Sequence, residues 1–325
     1  MKKKIAIAAG DPAGIGPEVS IKAALDPAVR RACAPIVVGD AVVIERHAAA
    51  SGIRAELRVV RHVAEADWSG KWLNVLDCPQ PHGSRDSFGK PAAASGRAAL
   101  AFAEAAIKAA LSGSVDAVVA APQNETAIAL AGIKFDGYPS FVARATGTDA
   151  SRVYLMLCFD AIRIVHCTFH HSVKDAIAMI TREKVAHAIE TTHHALRQMG
   201  VAHPRIALGG LNPHAGEGGL FGREEIDIIE PAINAAVAQG FAAAGPFPAD
   251  TLLHRQGFDA FVVMLHDHGH MAAKLLARDR AAALTIGTPI LFSSVAHGSV
   301  YDIAGKGLAR PQAMIETLLL LARKS

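Results

Sequence analysis

Phe261-Val262-Val263-Met264-Leu265-His266-Asp267-His268-Gly269-His270, with Lys274 just beyond, is the stretch from which the fold is read. The first five residues form an apolar run of the length and composition of a buried strand. Polar residues and a glycine then stand where such a strand runs out of its sheet. Open α/β sheets bind ligands at the carboxyl ends of their strands. Imidazole and carboxylate at such an end point to a metal or acid-base centre. The other reading is a loop that happens to be rich in histidine, since the chain has 16 of them.

The same strand-then-polar pattern recurs on both sides. Lys4 to Ala9, Ile36 to Val38 and Val115 to Ala121 read as strands, with helical patterns at Ala41 to Ser51 and Ala92 to Leu111 between them. Further on, Arg152 to Leu157, Ala161 to Thr168 and Arg205 to Leu211 read as strands, and Arg182 to Met199 as a helix. Strands alternating with helices predict an α/β chain with a mostly parallel sheet. Neither a low-complexity linker nor an internal repeat divides it. The expected domains are 1–139 with 285–325, and 140–284.

Composition narrows the function classes. The 325 residues are 51% hydrophobic and 19% charged, enough for a large core. A net charge of +3 and 5% aromatic residues supply neither a basic stripe nor a stacking platform for nucleic acid. Cys33, Cys78, Cys158 and Cys167 lack CxxC spacing and sit mostly in apolar segments. Reduced, packed thiols predict a cytoplasmic protein. No segment has the roughly 18 to 20 apolar residues of a membrane span.

Two other places carry chemistry. Gly10-Asp11-Pro12-Ala13-Gly14-Ile15-Gly16-Pro17-Glu18 joins a strand to a helix without the G-x-G-x-x-G or Walker spacing. It is either a loop whose backbone approaches a ligand or a tight turn between packed elements. Three strand ends, meanwhile, deliver a histidine into a polar loop: His170, His214 and His266. If these converge, they make a three-imidazole site suited to zinc or iron.

Together, Gly10 to Glu18, Leu211 to Gly219, Met264 to Lys274 and His297 to Gly307 resemble the 4-hydroxythreonine-4-phosphate dehydrogenase superfamily, in matching order along nearly the whole chain. The resemblance implies two α/β/α domains with a central cleft, in the manner of isocitrate and isopropylmalate dehydrogenases. It implies His170, His214 and His266 as ligands of a divalent metal (zinc, iron(II) or magnesium), and a homodimer whose active site is shared between subunits. His297, Gly298, Ser299, Asp302 and Ile303 fall in a loop similar to the adenosine-binding loop of those dehydrogenases, which implies NAD. Lys274 matches a substrate-binding lysine, and Asp250 and Asp267 match acidic positions near the site.

Departures from the phosphate-substrate enzymes point to one branch. Those enzymes carry Gly-His-Thr where this chain has Gly137-Tyr138-Pro139, an asparagine at the position of Ala283, and an arginine at that of Phe292. A phosphate needs such groups. Asn124 to Ile128, Gly137 to Ser140, Leu155 to Leu157, Arg163 to His166 and Leu265 to His270 instead resemble the terephthalate cis-dihydrodiol dehydrogenases. The implied reaction is NAD-dependent oxidative decarboxylation of 1,2-dihydroxy-3,5-cyclohexadiene-1,4-dicarboxylate to protocatechuate. Tyr138, Ser140, Lys274 and His270 are the implied substrate contacts, His270 facing the carboxylates, and Lys274, Asp250 and Asp267 the implied catalytic groups. The alternative is 4-hydroxythreonine-4-phosphate or a related phosphorylated hydroxy acid.

Overall fold

The computed structural model describes residues 2–81, 88–277, 281–295 and 297–322. Its strands are β1 Lys3–Ala8, β2 Cys33–Gly39, β3 Leu57–Val60, β4 Leu73–Asp77, β5 Ala117–Ala120, β6 Tyr154–Phe159, β7 Ile162–His166, β8 Arg205–Gly209, β9 Ala242–Phe247, β10 Ala260–Val263, β11 Ala282–Ile286 and β12 Leu291–Val295. Two compact units emerge, one holding the described residues up to Gly147 and from Pro289 onward, the other holding Thr148–Thr288.

In the first unit the strand order is β3-β4-β2-β1-β5-β12, and every pairing is parallel. Ile5, Ile7, Ile36, Val37, Val118 and Val119 are fully buried, as strands covered on both faces require. Short polar side chains start the crossover helices. Asp40 accepts a hydrogen bond from the Val42 N–H at the head of helix Ala41–Ala50, and Asn124 accepts one from Ala127 N–H at the head of Glu125–Leu130.

In the second unit the order is β11-β6-β7-β10-β8-β9. The β11–β6 and β6–β7 pairs are antiparallel, while β7, β10, β8 and β9 run parallel. Helix His266–Ala277 packs on this sheet through Gly269, Ala273 and Ala277, one residue per turn. Leu157, Phe159, Ile164, Phe261 and Val263 receive Ala273 and Ala277 in a common core.

Three local readings change. The polar stretch after β10 is not a loop but the opening turns of helix His266–Ala277, with Asp267 in the first turn where the helix dipole favours a carboxylate. The polar, Gly- and Pro-bearing stretch Ile133 to Ser140 reads as a loop in the sequence, but Tyr138 begins helix Tyr138–Thr146, behind a Gly137 at φ 99°. Strand β9 has no clear signal, because alanine, glycine and proline dominate it; it is tolerated as the last strand in the order, beside β8 only. Among the described residues, no helix is long and apolar enough to cross a membrane.

Candidate functional site

β7, β10 and β8 are neighbours and parallel, so their carboxyl ends lie on one side of the second unit's sheet. His170, His266 and His214 follow those three ends. His170 and His266 come together, with ring centroids 5.7 Å apart. His266 donates from Nδ1 to Asp267 Oδ1 at 2.6 Å, which orients the ring. That hydrogen bond holds the Asp267 carboxyl below its ordinary value. His270, one turn on, stacks on His266 at 3.8 Å with the planes 11° apart. Behind it lies His166, fully buried, its Nε2 3.1 Å from His270 Nδ1.

Burial pushes the His270 imidazole down to about 4, helped by His266, His170 and Lys274 nearby. Burial, followed by His270, takes His166 down to about 3. Both rings are therefore neutral at neutral pH, the form in which imidazole binds metal or accepts a hydrogen bond. Lys274 is exposed one turn beyond His270 on the same helix face. His268 is half-buried, and desolvation lowers its pKa.

His214 is presented differently. His214, Ala215, Gly216, Glu217 and Gly218 all have positive φ, from 45° to 78°, making a left-handed turn. Each non-glycine residue there costs roughly 1–2 kcal/mol. Glu225, itself buried, offsets this by accepting from the N–H groups of Leu211 and Asn212 and from the Asn212 side-chain amide. Asn212 also donates to Glu224 at 2.6 Å. The turn leaves His214 exposed, with Nδ1 3.5 Å from Glu217 Oε2 and its ring against Phe221. Backbone strain persists only where the surrounding structure holds it, here through a buried carboxylate. Within one chain, His214 makes no ring contact with the His170–His266 pair, and no group of three or more metal-binding side chains is assembled among the described residues. Asp250 is exposed in the turn after β9.

The first unit carries the other expected residues. The Gly10 to Glu18 segment proves to be a packed junction. A Cβ on Gly14 would lie 2.6 Å from the Ser299 carbonyl oxygen, and one on Gly10 2.3 Å from that of Pro122. The carboxylate of Asp11, fully buried, accepts from the Ala13 N–H and from the Tyr301 hydroxyl at 2.6 Å. Glu18 accepts from Ala309 N–H and from Lys22 Nζ, which also donates to the carbonyls of Gly307 and Ala309. This motif thus holds the His297–Gly307 loop. On that loop His297 is half-buried, Gly298 and Asp302 are exposed, Ser299 is buried and Ile303 is half-buried. Tyr138 packs against Phe292 at 5.0 Å and against Phe135 and Phe141. Its hydroxyl is buried with no hydrogen-bond partner among the described residues, and burial raises the phenol pKa. Ser140 hydrogen-bonds Asp136, which also pairs with Arg144.

Sequence reasoning left out His166, Asn212 and Glu225 as site residues. His166 had a signal: it shares a strand face with Ile162 and Ile164, an imidazole at a core position. Glu225 had none, because its partners lie 13 and 14 residues back across a loop.

Comparison with known proteins now decides the family. The family described as Pyridoxal phosphate biosynthetic protein PdxA matches residues 31–321. The chain belongs to the PdxA family. A D-threonate 4-phosphate dehydrogenase from Cupriavidus necator is 39% identical, over 97% of this chain and 95% of that protein. The crystal structure of a 4-hydroxythreonine-4-phosphate dehydrogenase from Klebsiella pneumoniae superposes with TM-score 0.90 at 36% identity, covering 100% of this chain and 99% of that one. A terephthalate 1,2-cis-dihydrodiol dehydrogenase from Burkholderia xenovorans LB400 is 43% identical with TM-score 0.76, covering 99% and 98%. This PdxA-family chain is accordingly an oxidoreductase of the dehydrogenase type.

Proposed function

We propose that the enzyme oxidises and decarboxylates a cis-dihydrodiol dicarboxylate of the terephthalate type, using NAD and a divalent metal. The observation that carries this reading is the contact of Tyr138 with Phe292, at 5.0 Å, in an aromatic cluster with Phe135 and Phe141. Histidine and arginine at these two positions would suit a phosphate, whereas a paired phenol and phenyl form an apolar wall that leaves phosphate charge uncompensated. The 43% identity to the dihydrodiol dehydrogenase supports the same branch. The higher TM-score of the 4-hydroxythreonine-4-phosphate enzyme reflects backbone path, and substrate choice lives in side chains.

The donor set fits a metal. The imidazoles of His170 and His266 stand as a pair, and the Asp267 carboxylate orients the second. His214 is the third donor, so the set is completed by a second copy of the chain. Exposed apolar side chains on the second unit support a second copy: Leu275 is 79% exposed and Met271 63%, on the outer face of helix His266–Ala277, and Leu220 is 72% exposed. Dinucleotide binding fits the first unit's loop. Among the described residues nothing stands within 4 Å of a Cβ built on Gly298, and the exposed Asp302 carboxylate suits ribose hydroxyls.

When bound, the metal supplies Lewis acidity toward the diol oxygens, and the nicotinamide supplies the hydride acceptor. The alcohol carbon loses hydride and its hydroxyl loses a proton, giving a ketone β to the geminal carboxylate. That carboxylate leaves as carbon dioxide, its C–C electron pair forming the enol that completes the aromatic ring. Lys274 binds a substrate carboxylate or returns a proton to the product. Asp267 holds His266 in one tautomer, and Asp250 is the group left to relay a proton to solvent.

Reduction of NAD, followed at 340 nm, tests the reading, with the terephthalate dihydrodiol beside 4-hydroxythreonine-4-phosphate and D-threonate 4-phosphate, and with zinc, iron(II) or magnesium added. Turnover of the dihydrodiol with release of carbon dioxide is expected. Preference for either phosphate compound would replace this reading with the family's phosphorylated hydroxy-acid activity.

A further inference from the structure

At the amino ends of β1, β2 and β4, opposite the strand ends that carry Asp11 and Asp40, the first unit holds a cavity of about 240 Å³. All its lining residues belong to that unit. Both tryptophans of the chain, Trp68 and Trp72, line it, each half-buried. Gly70, at φ 87°, turns the backbone between them. Lys2, Arg30 and Arg31 line it too, against one carboxylate, Asp67. The polar groups are one-sided. Arg30 donates from Nε to the Ala24 carbonyl, and from its terminal nitrogens to the carbonyls of Gly70 at 2.7 Å and Trp72 at 3.3 Å, which ties helix Pro27–Ala32 to the turn. The exposed Arg31 guanidinium and the two indole N–H groups have no hydrogen-bond partner among the described residues. The side-chain acceptors are engaged instead. Buried Asn74 accepts from the Asp67 N–H at 3.0 Å and donates to the Asp67 carbonyl at 2.8 Å. Asp67 Oδ1 accepts from the Ser69 N–H at 2.8 Å, which holds that carboxyl below its ordinary value.

We propose that this cavity is a second ligand site, which takes a small aromatic carboxylate, its ring against the indoles and its carboxylate met by the Arg31 guanidinium. Aromatic walls favour a planar apolar body. Unspent donors and an excess of cations favour an anionic acceptor, and a guanidinium fork matches a carboxylate with two hydrogen bonds. The volume falls below the roughly 300–1,000 Å³ of sites for larger ligands, so it suits a single ring. An inorganic anion would leave the indoles uncovered, and a neutral arene would leave Arg31 without a partner. The histidine cluster belongs to the second unit, so this site stands whichever hydroxy acid the enzyme oxidises.

Because both indoles of the chain line this cavity, tryptophan emission reports on it directly. The full-length protein is titrated with benzoate, with excitation where only indole absorbs, and the same samples are followed by calorimetry. A saturable change with a Kd on the order of 0.1 mM is expected. Arg31→Gln removes a side chain that ties down nothing, so the variant should keep its circular dichroism spectrum and bind benzoate on the order of tenfold more weakly. Cyclohexanecarboxylate keeps the charge without the ring face, and benzyl alcohol keeps the ring without the charge. Each should bind roughly fivefold or more weaker than benzoate. If emission is silent, a calorimetric Kd that weakens in Arg31→Gln supports the site equally. No saturable signal by either method overturns the proposal, as does an equal Kd in folded Arg31→Gln. An equal response to acetate at matched ionic strength also overturns it, because it marks a general anion effect. Equal binding of cyclohexanecarboxylate rules out the aromatic assignment.

Discussion

Asp11 and Glu18 in the first unit, and His266 and His270 in the second, all stand just beyond a buried strand, yet their polar atoms are engaged in different ways. Asp11 and Glu18 are fully buried and used by the protein itself: Ala13, Tyr301, Lys22 and Ala309 donate to them. The two histidines are only half-buried, and their Nδ1 atoms are held by neighbouring side chains, His266 by Asp267 and His270 by His166. Glu18 takes its bonds through Oε1, its Oε2 being buried with no partner among the described residues. Fully buried groups held in this way stabilise a loop, whereas half-buried groups on a rigid helix are what a site needs. The same sequence signal, polar residues after an apolar run, therefore marks a buried junction in one unit and a half-buried, solvent-reaching cluster in the other.

The sharpest way to break this comparison is to remove an imidazole. His170→Ala or His214→Ala should abolish metal binding and lower turnover by on the order of a thousandfold or more, as loss of several kcal/mol of transition-state stabilisation requires. Thermal stability should stay near wild type, since both side chains are exposed. Full activity in metal-stripped His214→Ala protein would falsify the metal reading.

The first unit should respond the other way, in stability. Lys22→Ala strips the cation from the buried Glu18 carboxylate, to which it lies at 2.6 Å. Urea unfolding should show a loss of about 3 kcal/mol, the cost of an uncompensated buried charge. A fall below 1 kcal/mol would mean that the Ala309 N–H alone satisfies Glu18.

His47 sharpens the same contrast through pH. Its Nε2 donates to the Pro12 carbonyl at 2.9 Å, and its ring meets Phe88 edge-on. Burial, with Arg46 adding to it and Glu18 opposing, brings its pKa down from 6.5 to about 4. The unfolded chain therefore binds the extra proton between these values, so stability is full above pH 6.5 and falls as pH drops toward 4, by on the order of 3 kcal/mol. Asp11, raised chiefly by desolvation, works in the opposite sense at the acid end. The difference between wild type and His47→Gln isolates the histidine, and parallel acid profiles for the two would remove it from this role.

The smallest expected effect separates holding from reacting within the second unit. Asp267→Asn keeps a partner for His266 but not a carboxylate. Metal affinity measured by competition with a chelator should fall 10- to 100-fold. Unchanged affinity would leave Asp267 as a surface residue.

Much of the fold is legible along the chain because its strands are short, apolar and β-branched, and its helices alanine-rich with Asp, Asn, Ser or Thr at their starts. Ile5 to Ala8, Val118 to Ala120 and Phe261 to Val263 are strands where their pattern places them. Strand β9 is not legible, since Ala242 to Phe247 has no β-branched residue and owes its state to pairing with β8. Residue types likewise nominate His170, His214, His266, His270 and Lys274.

What sequence alone determined is therefore the chemistry on offer: imidazoles and a lysine at strand ends, with a tyrosine and a phenylalanine where a phosphate site needs charge. Tertiary structure decided what holds those groups in place. The neighbours that matter lie far along the chain. The Leu155 carbonyl holds His166, which in turn holds His270, 104 residues beyond it, and Glu225 holds the strained turn that exposes His214. Such close approaches exist only once strands have paired and helices have packed.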